Sequence, residues 1–293
     1  MSICNLQWTI SPPSNCAYAA AALLRGIDPA DSARSSELAG HVDLLRQTTG
    51  RDDDWLDQLF THLAPLYATP EGTRYVVDTA LRKVTGNVDA NLVDVTTAAV
   101  QGLLNAWEES FPTFENDARL RGAVLEQHWA ARGPGLLSSI ERFTDDDLIS
   151  PQVTVLLVEP LFGGGGSVYL PYNAVAIEAV LANPHDDLPE IVRLAWMIAQ
   201  LHMDAPVHSE TIHGNELPRL AALAALPPTL MAAEIVELVQ FSPKMAQRAI
   251  EAWHIPVDDS QQAANTVVSW WKVYQRERPR WSVALAGLQG MLP

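Results

Sequence analysis

The sequence predicts a mainly α-helical α+β protein, and three observations carry that expectation. Most of the chain shows apolar residues at helical spacing. One block, VTVLLV at 153–158, is short, β-branched and apolar throughout, as a doubly buried strand would be. A third stretch, PEIVRLAWMIAQLHMD at 189–204, is apolar almost all round, with Arg193, Gln200 and His202 as its strongly polar interior positions. A helix of that kind belongs inside a sizeable protein, and sixteen residues with a central arginine are too few and too polar to span a bilayer.

Taken in order, Ser14 and Asn15 are expected to cap a first helix, CAYAAAALLRG, that stops at Gly26. Further helices are expected at 34–49, 53–67, 71–84, 89–109, 120–129 and 135–143. Trp55, Leu56, Leu59, Phe60 and Leu63 share one face of the third of these seven helices. A helical region at 1–147 then gives way to an α+β region at 148–293, unless the two form one continuous domain. In the second region the 153–158 strand, the glycine run at 163–166 and a strand of Ser167, Val168, Tyr169 and Leu170 read as a hairpin. The run lacks the lysine and following helix of a phosphate-binding loop. Asp186 and Asp187 suit the start of the 189–204 helix, with Pro189 in its first turn. A polar loop at 205–217 and helices at 217–225, 228–240, 243–253 and 261–274 complete the chain.

Composition narrows the function classes. The chain has 293 residues and a formal net charge of −16, with 48% hydrophobic and 18% charged residues. That describes a folded protein and argues against nucleic acid or an anionic membrane as its partner, because both need a basic face. The acidic clusters at 52–54, 145–147, 186–187 and 258–259 mostly precede apolar segments, so helix capping explains them better than metal binding does. Two cysteines, Cys4 and Cys16, make no disulfide framework and fit a reducing, cytoplasmic setting. The first residues lack a basic, apolar leader, so a standard secretion signal is not expected, and neither is a transmembrane helix.

Three groups of residues invite a chemical reading. Cys16, at a helix start, resembles the nucleophile position of transglutaminase-like enzymes. The nearest later histidine, His41, lies in another helical pattern, so a buried small hydrophobe is the better expectation. His202, Asp204, His208, Glu210 and His213 fall within twelve residues and suggest a divalent-metal site. Pro206 breaks that stretch, however, and no histidine pair has i, i+4 spacing.

The third group is the 189–204 helix. Two strands, a glycine-rich link and then a buried helix form an order that resembles the core of zincin-like metallopeptidases of the gluzincin group, among small bacterial families. That resemblance implies a strand preceding a helix that bears His-Glu-x-x-His, whose histidines bind zinc and whose glutamate activates water. Here Leu194-Ala195 and the later Ala199 and Leu201 keep the frame, while Trp196, Met197 and Gln200 stand at the three functional positions. Trp offers only an N–H donor, Met no base, and Gln a poor ligand. The resemblance therefore implies a non-catalytic protein without zinc, acting as a scaffold or binding a protein or peptide. Such a ligand would pair along Ser167, Val168, Tyr169 and Leu170. It also places Glu234 as the would-be third ligand. Two alternatives stand: a metal-dependent hydrolase using His202, His208, Glu210 and His213, and a helix that is simply core.

Overall fold

A computed structural model describes residues 4–27, 32–145, 147–159, 166–178 and 186–292. The protein is mainly helical, with one mixed four-stranded sheet. Strand β1 (Asn5–Thr9) precedes six helices: α1 (Pro12–Leu24), α2 (Ser32–Thr49), α3 (Asp53–Leu66), α4 (Thr73–Thr85), α5 (Ala90–Ser110) and α6 (Phe114–Phe143). The remaining strands are β2 (Gln152–Val158), β3 (Gly166–Tyr169) and β4 (Ala174–Glu178). They are followed by α7 (Glu190–Ile198), α8 (Pro206–Ser209), α9 (Leu217–Ile235), α10 (Pro243–Ala252), α11 (Ser260–Glu277) and α12 (Trp281–Met291). Among the described residues no helix is long and apolar enough to cross a membrane.

The strand order is β1-β2-β4-β3. β1 and β4 flank β2 in parallel, while β3 runs antiparallel to β4 at the edge. β2 and β3 therefore do not form the expected hairpin. β3 turns instead into β4, through a 3-10 turn at Leu170–Tyr172 and Asn173 in the left-handed region (φ 47°). Leu170 sits in that turn rather than in the strand. Of the glycine run, Gly166 opens β3, and residues 163–165 lie outside the described residues.

Alternation along the two central strands feeds two cores. Val153, Val155 and Leu157 of β2, with Val175 and Ile177 of β4, pack against helices α6, α7 and α9–α12. Leu156 and Val158, with Ala174 and Ala176, pack against α1 and α3–α5. The result is helix, sheet, helix in three layers. The expected division at 147/148 is bridged, because β1 pairs with β2 and α6 packs on the second-half core.

Several element boundaries differ from expectation for local reasons. α1 starts at Pro12, with Ser11 as its cap accepting from the Ser14 backbone N–H, so Ser14 and Asn15 are interior and buried. Asp52 and Asp259 do cap, accepting from the backbone N–H groups of Trp55 and Gln262. α7 begins after Pro189 with no side-chain cap, and Asp187 pairs with Arg248 at 3.7 Å instead. α7 ends at Ile198, and a 3-10 turn (Leu201–Asp204) follows. α6 is one helix through Gly133 and Pro134. A Cβ on Gly133 would lie 2.4 Å from the Trp129 ring, so the glycine makes room for that indole. α9 likewise continues through Pro227 and Pro228, both buried. Burial on nearly every side holds a helix that proline propensity alone would end.

The close approach of α6 to β2 at Gly122 gives a test of this packing. A Cβ there would meet Leu157 Cδ1 at 2.3 Å, whereas one on Gly102 of α5 would meet nothing within 4 Å. Gly122→Val is expected to cost about 1–3 kcal/mol by overpacking. Gly102→Ala is expected to stabilise by about 0.5–1 kcal/mol. Urea midpoints of the two variants check both signs.

Candidate functional site

A cleft of about 450 Å³ opens between edge strand β3 and helix α7. Its other walls come from α3, the first turns of α9 and the turn after α10. The α3 wall shows a polar side to the cleft and hides an apolar one. In α3, Leu56, Leu59, Phe60 and Leu63 are buried in the core, while Asp57, Gln58, Thr61 and His62 turn to the cleft. That is the two-faced pattern of an amphipathic helix.

Trp196, Met197 and Gln200 all line this cleft, as do Gly166, Ser167, Val168 and Tyr169 of β3. Trp196 is 7% exposed, donates its indole N–H to the Ala222 carbonyl at 2.8 Å, and stacks on Trp253 with ring centroids 4.8 Å apart. Gln200 lies one turn on and donates its amide to the Trp196 carbonyl at 3.1 Å. This bond satisfies a carbonyl at the helix end. Met197 fills the gap toward the sheet, and a Cβ on Gly166 would sit 3.0 Å from Met197 Cε and 3.1 Å from the Ala176 carbonyl oxygen. A glycine at the start of β3 is what allows the strand to lie this close to α7.

The polar groups around the cleft are held in pairs. Arg25 donates to both oxygens of Asp57 and to the Thr61 hydroxyl. Buried Arg193 pairs with Glu190 at 2.6 Å. Burial pushes the Glu190 carboxyl up, and the Arg193 charge pulls it partly back. His62 Nδ1 and the Tyr172 hydroxyl share a hydrogen bond of 2.9 Å. Burial lowers the His62 pKa, with Lys83 adding to the effect. Tyr169 is pushed up to about 12, chiefly by burial. Burial thus favours the neutral forms of the His62 imidazole and the Tyr169 phenol in the cleft wall.

The other sequence candidates lie elsewhere. Glu234 is exposed near the end of α9 and accepts from the Phe241 backbone N–H. α9 meets the cleft through Pro218, Arg219 and Ala222. Twelve residues separate Ala222 from Glu234, about 18 Å along a helix, so the third-ligand expectation is corrected. The expected 205–217 loop contains α8, whose His208 is buried with its Nε2 lacking a partner. The His202 ring donates from Nδ1 to the Asp147 carbonyl, and the two rings are 6.3 Å apart. Glu210 and His213 are exposed. Among the described residues no three His, Cys, Asp or Glu side chains are placed to hold a metal. The set of His202, His208, Glu210 and His213 is therefore not assembled. Cys16 is fully buried in α1, and burial drives its thiol far above the ordinary range. Sequence reasoning did not find the α3 wall or the Trp253 stack. The polar stripe of α3 opposite its apolar face was the available signal for the first.

Two outcomes follow from this geometry. Trp196→Ala removes a buried indole and leaves the Ala222 carbonyl without its donor, so a loss of about 3–5 kcal/mol is expected by chemical denaturation. With Cys4 replaced by Ser, Cys16 should react slowly with a thiol reagent in the folded protein and quickly in urea. Fast labelling of the folded protein would contradict the burial. No known protein family, curated protein or solved structure matches the chain.

Proposed function

We propose that this chain is a non-catalytic, zincin-like protein that binds an extended protein or peptide segment in the cleft between β3 and α7. The observation that carries the reading is the edge position of β3. Among the described residues it pairs on one side only, with β4, and the cleft lies alongside it. An edge strand presents backbone donors and acceptors to a ligand that adds a strand, and a side wall of aromatic and apolar groups supplies selectivity. The antiparallel edge strand beside a buried helix also fits the zincin-like reading of the 189–204 stretch. In that reading Trp196, Met197 and Gln200 replace the metal-binding and water-activating groups, and the indole occupies the space they would leave. The net charge of −16 supports a protein rather than a nucleic acid as partner. The paucity of cysteine supports a reducing, cytoplasmic setting.

The test uses fluorescein-labelled octapeptides from a positional library, measured by anisotropy against the intact chain. Binding on the order of micromolar is expected for the preferred sequences. Methylating alternate backbone nitrogens of the peptide should weaken it by about tenfold or more, because strand addition needs those N–H groups. Binding unaffected by backbone methylation, or no binding across the library, would contradict the proposal. Protein purified without chelator should carry less than about one tenth of an equivalent of zinc, where an intact site approaches one. Stoichiometric zinc would contradict the non-catalytic reading.

A further inference from the structure

Resting on the peptide-binding reading of the cleft, we propose that its occupant is an uncharged segment of a partner protein whose residues alternate, apolar toward α7 and polar toward α3. The register of β3 on β4 carries the alternation. Directly opposed residues of an antiparallel pair point to the same face. Gly166 and Val168 oppose Ile177 and Val175, which belong to the core on the α7 side. Ser167 and Tyr169 oppose Ala176 and Ala174, which belong to the core on the α1 and α3 side. The surroundings agree: a Cβ on Gly166 would meet Met197, and Tyr169 lies close enough to Arg25 and Asp57 to feel their charges. A strand added beyond β3 continues the pleat, so its successive side chains enter the two halves of the cleft in turn.

The halves differ in chemistry. On the α7 side stand Trp196, Met197, Ala222, Trp253 and Pro256, and the half-buried Trp253 ring lies on Trp196. Arg193 and Gln200 on this side are buried and bonded to Glu190 and to the Trp196 carbonyl. On the α3 side stand Asp57, Gln58, Thr61 and His62, with Arg25 held by Asp57 and Thr61. The first half offers dispersion and exclusion of water. The second offers hydrogen-bonding groups that an apolar side chain would desolvate without replacing their partners. Charge decides the rest. Arg25, Asp57, Arg193 and Arg219, the arginine and aspartate residues of the described lining, each stand in an ion pair: Arg25 with Asp57, Arg193 with Glu190 and Arg219 with Glu216. A charged ligand side chain would lose its water on entering and find the counter-charges engaged. A neutral segment complements a lining whose charges are matched.

Peptides of one composition and two patterns test this by anisotropy against the intact chain. Both carry a core of four Val and four Thr between identical flanks. In one the two residues alternate, and in the other they form separate blocks. Val and Thr are both β-branched strand formers, so the peptides differ in pattern and not in strand propensity. The alternating peptide should bind about tenfold or more tightly than the blocked one. Replacing one central Val of the alternating peptide with Glu, or with Lys, should weaken it by about tenfold in either case. Gln58→Leu makes the α3 half apolar and should narrow the preference for alternation, whereas Gln58→Asn should leave it. Circular dichroism of each variant checks that it folds. The chain alone should sediment as a monomer. A dimer that the alternating peptide dissociates would place a second copy of this chain at β3 and overturn the proposal. Equal binding of the alternating and blocked peptides, or tighter binding of the Glu or Lys peptide than of its parent, would also overturn it and leave the peptide-binding reading standing. Failure of all four peptides to bind would overturn both.

Discussion

The two central strands are apolar on both faces, and everything else in the fold answers to that constraint. β2 and β4 place valine and isoleucine toward one helical layer and smaller or aliphatic residues toward the other. Neither face could meet water without exposing a row of branched side chains, so each demands a layer of helices. Parallel pairing of β2 with β4 also requires a crossover long enough to return the chain to the same end of the sheet. β3 is set down within that crossover and pairs antiparallel with β4. The edge strand is thus a by-product of how the central pair is connected, and the cleft exists because the strand ends the sheet there.

The second constraint is the burial of α7. Its residues from Ile191 to Ile198 are all buried, Arg193 included. Desolvating a guanidinium is costly unless it keeps a charged partner, and Glu190, one turn earlier, supplies one. Such a pair, made within one helix, adds little net stability. On the same helix Trp196, Met197 and Gln200 line the cleft beside β3. The Trp196 indole then needs an acceptor and a stacking partner. Ala222 of α9 and Trp253 after α10 provide them, which ties three separate segments to one wall.

Much of this was legible in the residues. The VTVLLV block announced a doubly buried strand, and the near-uniform apolarity of 189–204 announced a central helix. Trp196, Met197 and Gln200 were singled out by the resemblance to a zincin-like motif, and they share one cleft with Ser167, Val168 and Tyr169. What was not legible depended on partners distant in sequence. β1, NLQWT, has too weak an alternation to declare itself and is a strand because β2 lies beside it. β4, AVAIE, reads as equally fit for a helix, and the left-handed Asn173 before it is a backbone feature the sequence does not display. Pro134, Pro227 and Pro228 read as stops, yet packing carries both helices through them. The cluster around His202 and His213 looked chemical because loop residues are polar, and its members are spread over exposed and buried positions.

The central claim is that the outer edge of β3 is the ligand-bearing surface. Amide hydrogen exchange of the intact chain, with and without a saturating library-selected octapeptide, addresses it most directly. The account predicts that peptide slows exchange at amides of Gly166–Tyr169 that do not donate to β4 by about tenfold or more, while β1, at the opposite edge, is unchanged. Protection that appears at β1 or on the α4–α5 surface, with β3 unaffected, would contradict it.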